Sequence, residues 1–228
     1  MVAGGTGALG RAITLAFLNE AAEVIVTYQR EEEYSALQKT AGGAGSLRGE
    51  KVDVTNEEDV QSFVSRMVRK SGRVDVLVNA VGGYAGGTSL WETHLKVFEQ
   101  MLTLNLRAGF ILLRAIVPEM LKQGRGTIVD IASQAAMNHA AGATAYAASK
   151  SAAVAMIDCL AADLKGTPVR ANSVLPSIID TEANRRAMPG ADYAKWPKPE
   201  DIARVILFLC SDESALIHGA SIPVYGNF

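Results

Sequence analysis

Ala3-Gly4-Gly5-Thr6-Gly7-Ala8-Leu9-Gly10 decides the fold. A short apolar run, Met1-Val2-Ala3, leads into it, and an amphipathic pattern from Leu9 to Asn19 leads out, so the glycines sit where a strand turns into a helix. That is the setting of a phosphate-binding loop. Glycines permit the tight turn and the close approach of backbone to ligand, and the positive end of the following helix attracts a pyrophosphate. Two registers fit, Gly5-Gly7-Gly10 and Gly4-Gly7-Gly10, and spacing does not choose between them. A lone glycine run would equally mark a plain turn. Only three residues precede it, so the first strand is shorter than the usual five or six and reads as lacking an upstream part.

Downstream, apolar strand-like runs at Glu23 to Tyr28, Leu47 to Val52, Val74 to Asn79, Thr127 to Ala132, Val169 to Leu175 and Ile222 to Val224 alternate with helical patterns. The helices are expected at Leu9 to Asn19, Glu31 to Thr40, Glu57 to Ser71, Trp91 to Lys122, Ala143 to Lys165 and Pro199 to Cys210. Asn56 ahead of Glu57-Glu58-Asp59 is a capping signal, and Pro199-Glu200-Asp201 is another start. Runs buried on both faces, separated by crossover helices, define an α/β fold with a doubly wound parallel sheet. Its ligands belong at the carboxyl ends of the strands. The alternation turns the glycine run into a dinucleotide-binding candidate. No repeat, linker or low-complexity tract divides the chain, and residues 1–228 are expected to form one domain. Thr181 to Lys198 is the one long irregular segment, in the position of a substrate loop or lid.

With 228 residues, 49% of them hydrophobic, the chain is long enough for one sizeable core. A formal net charge of −2 and scattered basic residues give no electrostatic reason to bind nucleic acid or an anionic membrane. Cys159 and Cys210 each lie in an apolar helical pattern with no second cysteine at metal spacing, so both are expected as buried free thiols. His94, His139 and His218 have no partner at metal or triad spacing and read as surface or packing residues, with His139 able to border a substrate. No metal site is expected. No uninterrupted run of 18 apolar residues and no signal peptide is evident, so the expected location is cytoplasmic.

Chemistry enters with Tyr146-Ala147-Ala148-Ser149-Lys150. Residues four apart share one helix face, so the phenol and the ammonium can act on one proton. An unperturbed phenol titrates near pH 10 (about). A fixed positive charge beside it favours the phenolate and lowers that value. By itself such a pair arises often by chance. Ser133, closing Ile128-Val129-Asp130-Ile131-Ala132-Ser133, could be a simple cap, and Asn105, in a helical stretch that asparagine disfavours, invites a side-chain role.

Together with the glycine run these motifs make the whole chain resemble the short-chain dehydrogenase/reductase family, single-domain Rossmann enzymes that use NAD or NADP. Asn79-Ala80-Val81-Gly82 is similar to the family's Asn-Asn-Ala-Gly element, keeping its first Asn and last Gly. The resemblance implies a catalytic set of Asn105, Ser133, Tyr146 and Lys150. In it Tyr146 exchanges the substrate proton and Ser133 bonds the substrate oxygen. Lys150 lowers the Tyr146 pKa and bonds the nicotinamide ribose, and Asn105 holds a relay water. It also implies cofactor contacts at Gly4, Thr6, Gly7, Leu9, Gly10 and Arg11, then at Tyr28, Gln29 and Arg30. Further contacts are implied at Asp53, Val54, Asn79 and Ala80, at Tyr146 and Lys150, and at Pro176, Ile179 and Thr181. Asp53 has the plainer reading of a turn former, and Asn79 that of a strand-end hydrogen bonder. The sequence departs from the family at Ala8, where compact members carry a glycine, and at Pro176-Ser177, where the family has Pro-Gly beside the nicotinamide.

An acid at the end of the second strand would bond the ribose 2′-hydroxyl and repel a 2′-phosphate. Tyr28-Gln29-Arg30 stands there, with no acid before Glu31, and Arg30 and Arg11 are candidate phosphate partners, so NADP is favoured over NAD. The expected activity is hydride transfer between nicotinamide and a carbonyl or alcohol. Tyr84, Met137, Met188, Tyr193 and Trp196 suggest an apolar substrate, and Arg185 and Arg186 would permit an anionic tail. The rival readings are an NAD-dependent alcohol dehydrogenase and a non-catalytic, nucleotide-sensing Rossmann protein. Apolar surplus on the helices from Trp91 and Ala143, with the family's habit of pairing such helices, implies a homotetramer or homodimer.

Overall fold

The computed structural model describes residues 1–43 and 45–226. Its strands are β1 (Val2–Ala3), β2 (Glu23–Tyr28), β3 (Ser46–Lys51), β4 (Val76–Asn79), β5 (Gly126–Ile131), β6 (Val169–Pro176) and β7 (Ser221–Val224). All pair in parallel, in the order β3-β2-β1-β4-β5-β6-β7. The helices are α1 (Ala8–Asn19), α2 (Glu31–Ala41), α3 (Glu57–Ser71), α4 (Leu95–Leu102), α5 (Ala108–Gln123), α6 (Thr144–Asp163), α7 (Glu182–Ala187) and α8 (Pro199–Cys210).

Successive residues of a strand point to opposite faces, and both faces here are apolar. Ala3, Leu77, Ile128 and Ala171 pack with Phe63, Leu112, Ile116 and Ile157 from α3, α5 and α6. Their neighbours Val2, Val78, Val129 and Val174 pack with Ile13, Ile202 and Ile206 from α1 and α8 on the other side. Each such fully buried side chain stabilises the fold by roughly 1.5–3 kcal/mol. Strand order reverses between β1 and β4, and the crevice this opens at the strand ends holds the site.

Local chemistry sets the helix ends. The Asn56 side chain accepts from the Asp59 backbone N–H at 3.1 Å, three acids follow in the first turn, Arg69 and Lys70 occupy the last, and Gly72 closes α3 at φ +76°. Val60, Phe63, Val64 and Met67 form its buried stripe.

Four expectations need correction. Trp91 to Lys122 is not one helix: a 3-10 turn at Leu90–Glu92 is followed by α4, a π-helical turn at Thr103–Arg107 and α5. The helical stretch Leu95–Gln123 is, by length and composition, apolar enough to cross a membrane, but half of its most apolar window is buried in the α/β fold. Thr181 to Lys198 is not irregular, since it holds α7 and a 3-10 turn at Tyr193–Lys195. Cys159 is exposed, because it falls on the outer side of α6, whereas Cys210 is partly covered.

Candidate active site

The glycine loop is built around three steric demands. Gly4 adopts φ +71°, in the left-handed region that side chains avoid, while its N–H donates to Thr27 Oγ1 at 3.0 Å. Gly10 lies so close beneath that turn that a Cβ would collide with the Gly4 carbonyl oxygen. A Cβ on Gly5 would lie 2.5 Å from Val26 Cγ1, so Gly4, Gly5 and Gly10 are all held to glycine and both registers are satisfied. Gly7 caps α1 with no side-chain bond, and the first turn carries no acid, which is the setting of an anion site. The chain therefore fits a dinucleotide pyrophosphate at this point. Ala8 starts α1 exposed, where its methyl obstructs nothing, and Leu9 turns its side chain into the core, leaving only its backbone to the loop.

A cleft of about 360 Å³ runs from this loop along the strand ends. Of the residues expected there, Gly4, Thr6, Gly7, Tyr28, Gln29 and Asp53 line it, as do Val54 and Ala80. Gln29 Nε2 donates to the Val52 carbonyl at 2.8 Å, tying β2 to the end of β3. Asp53 Oδ1 accepts from Thr55 N–H at 2.9 Å and Thr55 Oγ1 at 2.6 Å, bonds that hold its carboxyl below the usual range. It is a turn former that also borders the cleft. Tyr28 stacks on Tyr34, centroids 4.7 Å apart, and donates to Glu31 at 2.6 Å, a bond that pushes its phenol up to about 12.

Glu33 also lines this cleft, and the sequence reading missed it. The first turn of α2 brings it back toward the glycine loop, where it accepts from Thr6 Oγ1 at 3.1 Å and pairs with Arg30. Arg30 and Arg11 lie exposed rather than in the cleft lining. Asn79 points into the sheet: its Nδ2 donates to Asp130 Oδ1 at 2.7 Å and its Oδ1 accepts from Val81 N–H at 3.3 Å.

Beyond the cleft the structure brings Ser133, Tyr146, Lys150 and Asn105 toward one another. Ser133 lies two residues beyond β5 and caps a 3-10 turn at Gln134–Ala136, its hydroxyl accepting from Ala135 N–H at 3.1 Å. Burial raises the Tyr146 phenol above its ordinary value, while the Ser133 hydroxyl beside it pulls it down. Lys150 Nζ donates to the Ile131 carbonyl at 2.7 Å. Burial lowers the Lys150 ammonium and the charge of Asp130 raises it. Tyr84, from the loop after β4, meets Tyr146 edge to face at 5.0 Å, and Gly87 N–H donates to the Gly142 carbonyl at 2.8 Å, joining the loops that flank the phenol.

Asn105 lies in the π turn, and both ends of its side-chain amide are hydrogen-bonded. Its Oδ1 accepts from Gly83 N–H at 2.8 Å, and its Nδ2 donates to the Gly83 carbonyl at 3.0 Å and to Ser149 Oγ at 2.9 Å. It braces the loop after β4 against α6. Pro176 ends β6 opposite Val224, and Ser177 needs no left-handed backbone; its hydroxyl donates to the Tyr225 carbonyl at 2.7 Å, which explains why glycine is dispensable there. The Ile179 carbonyl accepts from Asn184 Nδ2 at 2.8 Å, and Thr181 caps α7 through Asn184 N–H at 3.2 Å.

The expected substrate residues divide. Trp196 is buried, and Tyr193 donates to the carbonyls of Arg185 and Met188. Arg185 grips Asp180 through two nitrogens, Nε at 2.5 Å and the other at 2.8 Å, and Arg186 pairs with Glu182 at 3.0 Å, so neither waits for an anionic tail. His139 and His94 are exposed, and His218 clasps β6 to α6 through the Ala171 N–H and the Ala161 carbonyl.

An open parallel sheet with an uncapped glycine loop at its switch point defines the class of dinucleotide-binding Rossmann proteins. Comparison with known proteins narrows it. The profile of a family described as enoyl-(acyl carrier protein) reductase matches residues 4–226. The chain is 33% identical over 236 residues to a 3-oxoacyl-[acyl-carrier-protein] reductase of Thermotoga maritima, covering 100% of this chain and 96% of that one. It is 32% identical over 238 residues to a D-threitol dehydrogenase of Mycolicibacterium smegmatis, covering 100% and 91%. A solved structure of NAD+-bound xylitol dehydrogenase superposes with a TM-score of 0.92 at 26% identity, covering 99% of this chain and 96% of that one. The chain belongs to the short-chain dehydrogenase/reductase family. It is thus an enzyme acting on CH–OH and C=O groups with a nicotinamide cofactor.

Proposed function

We propose that this enzyme is an NADP-linked reductase of an apolar carbonyl compound, using Tyr146, Ser133, Lys150 and Asn105. The observation that carries the reading is the half-buried Tyr146 phenol, beside the Ser133 hydroxyl and edge to face with Tyr84 at 5.0 Å. When bound, the nicotinamide supplies or accepts the hydride. The chain's own groups do the rest. Gly4, Gly7 and the open N-terminus of α1 hold the pyrophosphate, with Thr6, Gly10 and Asp53 shaping the cleft. Ser133 Oγ orients the substrate oxygen, Tyr146 Oη gives it a proton or takes one back, and Lys150 provides positive charge close to both. Asn105 keeps the wall of the pocket in register, and Tyr84 covers the phenol with an aromatic edge suited to apolar substrates. Pro176, Ile179 and Thr181 border the nicotinamide end, with residues 181–198 as the substrate loop.

Arg30 and Arg11 favour NADP through their charge. A second reading, an NAD-linked dehydrogenase, is favoured by one observation, the Glu33 carboxylate beside Thr6. We also propose self-association into a homodimer or homotetramer through the exposed Leu90, Trp91, Leu95 and Phe110. The test of the main reading is Tyr146→Phe. Turnover falls about 100-fold to 10,000-fold with NADPH affinity retained; a variant that turns over carbonyl substrates at the normal rate rejects the assignment.

A further inference from the structure

Tyr84 touches the proton donor of the proposed reaction and is still open to solvent. It is 67% exposed, yet its ring meets that of Tyr146 at 5.0 Å between centroids, with 74° between the planes. The adjacent strands β4, β5 and β6 each have one large, exposed apolar side chain shortly beyond the carboxyl end: Tyr84, Met137 and Ile178. That end of an open α/β sheet is where substrates lie. Apolar surface left in water there gains by being covered.

What holds an exposed ring in that place is backbone. Ahead of it, the Gly83 N–H donates to Asn105 Oδ1 at 2.8 Å and the Gly83 carbonyl accepts from Asn105 Nδ2 at 3.0 Å. Behind it, Gly87, at φ +99°, donates its N–H to the Gly142 carbonyl at 2.8 Å. Between these ties the chain folds tightly on the ring. A Cβ on Gly86 would lie 2.5 Å from Tyr84 Oη and 2.9 Å from the Gly142 carbonyl oxygen, so only glycine lets the backbone come this close. A ring fixed on both sides loses little further freedom when a ligand covers it.

Aromatic rings favour flat, conjugated partners, which pack in offset-stacked or edge-to-face arrangements and gain beyond the area they bury. A carbonyl whose oxygen reaches the Tyr146 hydroxyl brings its substituents beside the ring packed on that phenol. We propose that Tyr84 is a specificity-determining residue, the wall against which a flat group attached to the substrate carbonyl lies. Aryl and similarly conjugated carbonyl compounds are then taken in preference to saturated ones of the same size. This rests on the reductase reading, in which Tyr146 gives the proton, and narrows its substrate from apolar to flat and conjugated.

The experiment measures kcat/KM with NADPH for acetophenone and for cyclohexyl methyl ketone in the unsubstituted enzyme, Tyr84→Phe and Tyr84→Leu. With most of Tyr84 in solvent, neither substitution opens a cavity in the core. The intrinsic reactivities of the two ketones cancel when their ratio is compared between variants. Tyr84→Leu should lower the preference for acetophenone by about two- to tenfold, whereas Tyr84→Phe keeps it. A ratio unmoved by Tyr84→Leu, or lost equally in Tyr84→Phe, overturns the proposal. Benzamide and cyclohexanecarboxamide, which a nicotinamide does not reduce, give the same comparison as dissociation constants from ligand-observed NMR. A preference for benzamide that falls in Tyr84→Leu supports the wall; equal affinities, or failure of both amides to bind, overturn it. The amides need no turnover, so failure of the Tyr84 wall and failure of the reductase assignment, tested by Tyr146→Phe, are read separately.

Discussion

The proposed cofactor choice turns on single residues on the rim of the cleft. Arg30, proposed above as the partner of a 2′-phosphate, is paired with Glu33, and Glu33 is itself hydrogen-bonded to Thr6 of the glycine loop. Arg30→Ala should weaken NADPH about tenfold or more, the worth of a charge-assisted hydrogen bond, and leave NADH unchanged. Glu33→Gln, which frees Arg30 at an exposed position, should tighten NADPH by about two- to fivefold. Fluorescence titration with both nucleotides checks each, and equal responses of NADPH and NADH would remove Arg30 from the argument. Glu33 was invisible in the sequence because the rule for cofactor choice looks at the end of the second strand, and α2 folds a residue three positions later back to the same place. Asp130 was hidden for a related reason. Motif reading attends to Ser133, whereas the neighbours of Asp130, Asn79 and Ser173, are set by strand register.

Elements with strong end signals were legible: Glu57–Ser71 and Pro199–Cys210 follow their caps to the residue. The π turn was not, since its apolar periodicity passes for α-helix and only one wider turn, at Thr103–Arg107, sets it apart. The six residues of α7 are too few for a periodic pattern to show. The π turn has a task, which is to aim the Asn105 amide at Gly83 and Ser149. Asn105→Ala removes both bonds to the Gly83 backbone and should cost about 1–3 kcal/mol. At this chain length the melting temperature falls by about 2–4 °C for each kcal/mol. Calorimetry showing an unchanged midpoint would mean that the loop after β4 is held by other contacts.

The sheet as a whole follows from the alternation of strands and helices, but its order, with β4 beside β1, comes from topology rules and family resemblance rather than from any residue. On its outside, Trp91 is 83% exposed and Phe110 54%, with a second apolar hollow lined by Leu102, Leu106 and Met156 around Phe110. Sedimentation at micromolar concentration should show a dimer or tetramer, and Phe110→Glu should shift it toward monomer; a wild-type monomer would reject the assembly. The two sheet edges restrict how such an assembly can form. At one edge β3 presents Arg48, Glu50 and Lys51; at the other β7 carries Pro223, which has no N–H to offer an incoming strand. Both margins discourage another chain from extending the sheet, which protects the enzyme from fibrillar stacking and leaves helix-to-helix contact as the open route by which copies can meet.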